Sequence, residues 1–129
     1  MRRSDQRRDA VFALYQHEVT GRPIGELLEG AKPFTRELAE GAEERLAELD
    51  EAIGAHAEGW TVDRIAPLER SIMRVALFEA TSREDVPTEV ALDEAVGLAR
   101  EYCGADAPSF VNGVLGAAVR AADGGGRGA

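Results

Sequence analysis

The apolar residues of this chain recur at spacings of three and four, and no segment alternates convincingly enough to make a strand. Such a pattern restricts the fold to packed helices. Ala10, Val11, Leu14 and Glu18 fall along one stripe of a first helix, with Ser4 or Asp5 available as its N-cap. Gly21 and Pro23 end that helix, and residues 24–29 have room for only a short one before Gly30 and Pro33. Leu38, Ala42, Leu46, Leu49 and Ile53 then line one face of a long amphipathic helix whose other face is Glu37, Glu40, Glu43, Glu44, Glu48 and Glu51. After Gly59 comes Trp60, expected to plug the junction between two halves. Leu68, Ile72, Val75, Ala76 and Phe78 outline a central helix that is apolar over much of its surface. Pro87 fits the first position of a sixth helix with a small-residue stripe, Ala91, Ala95, Leu98 and Ala99. Asp106 is a candidate cap for the last, which buries Phe110, Val111, Val114, Leu115 and Ala118.

The expected architecture is therefore all-α: about seven helices in two roughly three-helix halves, a single domain over 1–122 followed by a flexible glycine-rich tail, 123–129. Leu38, Leu46, Leu49, Ile72, Val75, Leu98, Phe110 and Val114 are predicted to be mostly buried. At 129 residues such a domain needs neither metal nor disulfide to hold a core. Aromatics make up only 5%, so that core is built from Leu, Val, Ile and Ala. The single cysteine, Cys103, excludes an internal disulfide and fits a reducing cytoplasm. No apolar stretch is long enough to cross a membrane, and none at the N-terminus resembles a signal peptide, so a cytoplasmic protein with no membrane partner is expected.

Charge is unevenly placed. Residues 1–8 hold four arginines and one aspartate, a local +3, so with a formal net charge of −9 the rest of the chain sums to −12. A basic arm on an acidic body points to a polyanion such as a nucleic-acid backbone. The alternative is that Arg2 and Arg3 are frayed and that Arg7 and Arg8 pair with acidic neighbours. Arg3 and Arg7 stand at i,i+4, expected to project beyond the end of the packed body. Arg8 and Tyr15, seven apart, share one flank of the helix, where a guanidinium and a ring can address RNA or a partner. A core-edge ring is the competing assignment for Tyr15.

Catalytic chemistry has no positive support. His17 and His56 lie in different helices without i+4 partners, so no metal site and no cofactor are expected. Cys103 reads as a small buried side chain at a helix end. Acidic pairs such as Glu43–Glu44 and Glu84–Asp85 read as solvated charge, and no phosphate-binding glycine loop is present. Asn112 and Gly113 interrupt an apolar helix, and both are read as structural: close packing at the glycine, a hydrogen-bonded buried amide at the asparagine.

The segment 110–116 (FVNGVLG), following 104–109 (GADAPS), resembles the C-terminal signature of the NusB family of transcription antitermination factors. Three other stretches agree in order: the arginine-rich start running into 9–16 (DAVFALYQ), the central 69–79 (ERSIMRVALFE), and 85–99 (DVPTEVALDEAVGLA). The match covers roughly residues 2–120. It implies an all-helical, non-enzymatic protein that binds boxA-type single-stranded RNA together with NusE, a small-subunit ribosomal protein, within an RNA polymerase antitermination complex. It further implies RNA contacts at Arg2, Arg3, Arg7, Arg8 and Tyr15, and a partner or RNA surface that includes Glu79 and Asp106. Asp5 and Gln6 dilute the usual basic arm, and the loop before Phe110 is about one residue shorter than the family pattern. A NusB-like module serving an RNA-modifying enzyme and a protein-only interaction bundle are the alternatives.

Overall fold

A computed structural model describes the backbone of residues 1–128 and the side chains of residues 1–123, so most of the tail expected to be flexible, 123–129, lies outside the described side chains. Among the described residues there are seven α-helices and no strand: α1 (Arg3–Thr20), α2 (Ile24–Leu27), α3 (Pro33–Glu44), α4 (Leu46–His56), α5 (Pro67–Ser82), α6 (Thr88–Tyr102) and α7 (Ala107–Gly128). A single 3-10 turn, Val62–Arg64, precedes α5. Proline opens α3 and α5, where a missing N–H costs nothing and the fixed φ is already helical. Gly21 closes α1 with φ 76°, donating its N–H to the His17 carbonyl in a left-handed cap that glycine adopts without penalty.

Helix α5 is the hub. It packs on α1, α3, α4, α6 and α7, and its residues 71–77 are buried without a break. One continuous apolar cluster joins both halves, from Ala10, Val11 and Leu14 through Leu38, Ile53 and Ile72 to Val111 and Leu115. Where α3 crosses α5, a Cβ at Gly41 would overlap the Phe78 ring, so only glycine admits that approach.

Several expectations are corrected. The long acidic helix is two helices, broken at Arg45, which sits at φ −107° and ψ 22°. A straight helix could not serve both contacts: α3 packs on α1 and α5, whereas α4 turns to pack on α5 and α7. The break is held by Arg45, which donates to the Ser82 hydroxyl and to Glu48. Trp60 is half exposed, because Ala57 and Ile65 fill the junction while Gly59, at φ 78°, turns the chain outward. Helix α1 begins at Arg2 as N-cap with no side-chain cap from Ser4 or Asp5, and Pro87 is the N-cap of α6 rather than its first residue. Leu38, Leu49, Ile72, Val75 and Val114 are buried as expected, but Leu46, Leu98, Phe110 and Cys103 are only partly so. Asn112 and Gly113 are both exposed, and open space surrounds the glycine Cα. Their low helix propensity is carried on the solvent side of α7, not by a buried amide or a close approach.

Candidate nucleic-acid interface

The arginine arm is the first two turns of α1, and helical geometry splits its four cations between two faces. Arg7 lies one turn before Val11 and two before Leu14, on the buried stripe. The body extends past this point: Phe34 of α3, Glu79 of α5 and Glu94 of α6 wall the stripe. Arg7 is consequently only 5% exposed, and it donates Nε to both Glu79 oxygens at 2.9 and 2.8 Å and Nη2 to Oε2 at 2.6 Å. Its Nη1 reaches Glu94 at 3.3 Å, and that same carboxylate accepts the Ser4 hydroxyl at 2.6 Å. Neither Arg7 nor Glu79 is thus available on the free surface. The assignment of Arg7 to RNA and of Glu79 to a partner surface is corrected: they form a buried ion pair that ties α1 to α5.

Arg3 lies on the rim of the same cluster. Its guanidinium sits 4.3 Å from the centroid of Phe34, with Arg7 at 5.3 Å and Arg83 at 5.2 Å, so three cations share one ring. Their mutual repulsion is offset by carboxylates. Asp85 receives Arg3 at 3.4 Å and Nε and Nη2 of Arg83 at 3.0 and 2.9 Å, and Glu37 pairs with the third Arg83 nitrogen, Nη1. Hydrogen bonds from Arg83 hold the Asp85 carboxyl down to about 2, so the counter-charge persists through the physiological range.

Arg2 and Arg8 face outward. The Arg2 side chain is 83% exposed and lies 3.6 Å from Asp5, which also receives Arg8 at 3.3 Å. Arg8 further donates to Asp9 at 3.2 and 3.1 Å. Each arm arginine therefore has at least one carboxylate partner, and the +3 of the sequence is screened locally. From Arg8 the same flank of α1 continues through Phe12 to Tyr15, both half-buried. Asp106 is exposed immediately before α7, at the rim of an open cavity of about 370 Å³ lined also by Trp60, Arg64, Glu69 and Phe110.

Sequence reasoning missed Phe34, Arg83, Asp85 and Glu94. Their roles depend on α3, α5 and α6 converging on α1. One signal was legible: an arginine on the apolar stripe of a helix requires a buried counter-charge. Burial pushes the Cys103 thiol up, away from thiolate. His17 bridges the Arg22 carbonyl and Glu43 within the fold. Among the described residues no cluster of three or more His, Cys, Asp or Glu could hold a metal ion, and no helix is long and apolar enough to cross a membrane.

The profile of the NusB family matches residues 4–120. A transcription antitermination protein NusB from Rubrobacter xylanophilus is 41% identical over 122 residues, spanning 89% of this chain and 88% of that protein. T. maritima NusB superposes with a TM-score of 0.85 at 28% identity, over 93% of this chain and 92% of its own. A chain from the crystal structure of the antitermination factors NusB and NusE in complex with double-stranded RNA superposes at 0.81 with 27% identity, covering 94% of this chain and 99% of that one.

Proposed function

Because the chain belongs to the NusB family, we propose that it is a transcription antitermination factor that binds RNA jointly with NusE in an RNA polymerase-associated complex. The observation that carries this reading is the near full-length match to a NusB antitermination protein, reinforced by the fold it shares with a chain from the NusB–NusE–RNA complex. Its role is to bind rather than to catalyse, and nascent RNA places it in the cytoplasm.

Within this reading Arg2, Arg3 and Arg8 are the phosphate-facing members of the arm, because their side chains keep solvent access. Arg7 supports them from beneath, and Asp106, exposed and without an ion-pair partner among the described residues, remains a candidate for the partner or RNA surface. Locally screened arginines give weak phosphate affinity alone, which favours joint binding with NusE over solitary binding. Unstacked bases in a boxA-type single strand are the expected target, since a protein of this charge balance gains little from backbone contacts alone.

Affinity for boxA RNA, single-stranded and duplex, measured with and without NusE, tests the proposal. The expected result is a large gain on adding NusE, with preference for the single strand. A folded protein that fails to bind RNA in any of these conditions would overturn it.

A further inference from the structure

The outer flank of α1 carries a group that the ion pairs do not account for. The Phe12 and Tyr102 rings meet edge to face, 5.0 Å between centroids at an interplanar angle of 86°. Tyr102 closes α6, packs its ring against Phe12 and remains 40% exposed. One turn earlier on α1 stands Arg8, close enough for its charge to act on the Tyr102 hydroxyl. Three of the five guanidinium N–H groups of Arg8 are engaged by Asp5 and Asp9, leaving two without a partner among the described residues. From Arg8 a groove of about 350 Å³ runs between α1 and α6, lined by Arg2, Arg8 and Gly97, by the carboxylates Asp5, Glu94 and Glu101, and by others; Glu101 precedes Tyr102 in the chain. Gly97 has open space where a side chain would stand, so at that point the groove wall is bare backbone.

We propose that Tyr102, braced by Phe12 and flanked by Arg8, is a stacking subsite for one unpaired base of the bound RNA, whose sugar-phosphate lies in the groove beside Arg2 and Arg8. The inference rests on the RNA-binding reading above and adds to it the ring that holds a base. A rigid, exposed ring next to a partly free guanidinium is the combination that single-strand binders use, because every base has a π-face and every nucleotide a phosphate. The acidic residues around the groove strengthen the argument for a base over a phosphate alone. Asp5, Glu94 and Glu101 blunt the electrostatic attraction, whereas stacking is indifferent to them. Desolvation first and Glu101 second push the Tyr102 hydroxyl above its ordinary phenol value, so it stays protonated and the ring adds no charge of its own. A paired base in a continuous duplex cannot present its face to the ring, so the subsite selects for single-stranded RNA.

The test uses the full chain with NusE and a single-stranded boxA RNA, comparing Tyr102→Ala, Tyr102→Leu and Tyr102→Phe. Loss of one stacked base lowers affinity by about 5- to 150-fold. That loss is expected for Ala and for Leu, which keeps an apolar contact with Phe12 but has no ring, while Phe retains affinity. The slope of log affinity against log salt stays unchanged in all three, unlike Arg8→Ala, which lowers it. When abasic nucleotides are placed one at a time along the RNA, the Tyr102→Ala penalty vanishes at a single position. Wild-type affinity in Tyr102→Leu, a penalty that persists at every abasic position, or an equal loss of NusE binding without RNA would each overturn the subsite while leaving the functional reading intact. Failure of the folded wild-type protein to bind RNA with NusE would overturn both.

Discussion

Replacing Arg7 with alanine should destabilise this protein strongly, whatever it does to RNA binding. The Arg7 and Glu79 side chains are 6% and 1% exposed, and the Glu79 carboxylate takes three hydrogen bonds from that one guanidinium. Removing the arginine strands a buried charge among Val75, Ala76, Ala91 and Ala95. Breaking one partner of a buried pair costs about 3–5 kcal/mol, a large share of the roughly 5–15 kcal/mol that stabilises a domain. For a chain of this length the melting temperature should fall by about 10–20 °C. Urea unfolding followed by circular dichroism, on Arg7→Ala, Glu79→Gln and the double variant Arg7→Met with Glu79→Leu, measures it. The double variant should recover most of the loss, because the buried charge goes with its partner. If Arg7→Ala instead changed stability by less than about 1 kcal/mol while RNA affinity fell, Arg7 would be the surface contact that its place in a basic arm suggests, and the buried-pair account would be wrong.

Asp5→Asn frees Arg2 and Arg8 of a shared counter-charge, so RNA affinity at low salt should rise about two- to fivefold with stability nearly unchanged, the scale of an exposed ion pair; a fall in affinity would refute the screening argument. Gly41→Ala drives a methyl group into the Phe78 ring and should cost about 1–3 kcal/mol in urea unfolding, although alanine is the better helix former. His17 is raised above its ordinary imidazole value, first by donating to the Arg22 carbonyl and then by Glu43. Its protonated form therefore stabilises the fold fully below about pH 6.5, and that contribution is lost as pH rises through the raised value. Unfolding of wild type and His17→Gln at several pH values should show a wild-type advantage that is largest in acid and shrinks towards pH 8; a gap that widens with pH would reverse the sign.

The helical class, the helix-ending role of Gly21, the centrality of α5 and the family resemblance are all legible in the chain, because apolar periodicity and breakers act locally and motifs are collinear. The periodicity of 34–56 reads equally well as one helix or two. Only the need to face α1 with one segment and α7 with the next decides that it breaks at Arg45. The same holds for the basic arm. Composition fixes four arginines and a +3, and the helical period already places Arg7 on the stripe of Val11 and Leu14 and Arg8 on the stripe of Phe12 and Tyr15. Whether the first stripe ends in solvent or in a wall is a property of three other helices. Phe34, Glu79 and Glu94 come from residues 27, 72 and 87 positions further along the chain, and they turn Arg7 from a free cation into a buried one. Local sequence sets which face a side chain shares, since that depends on backbone geometry alone. What stands opposite that face, and so whether a charge is a contact or a strut, is set by long-range packing, where the desolvation of one carboxylate outweighs any local preference.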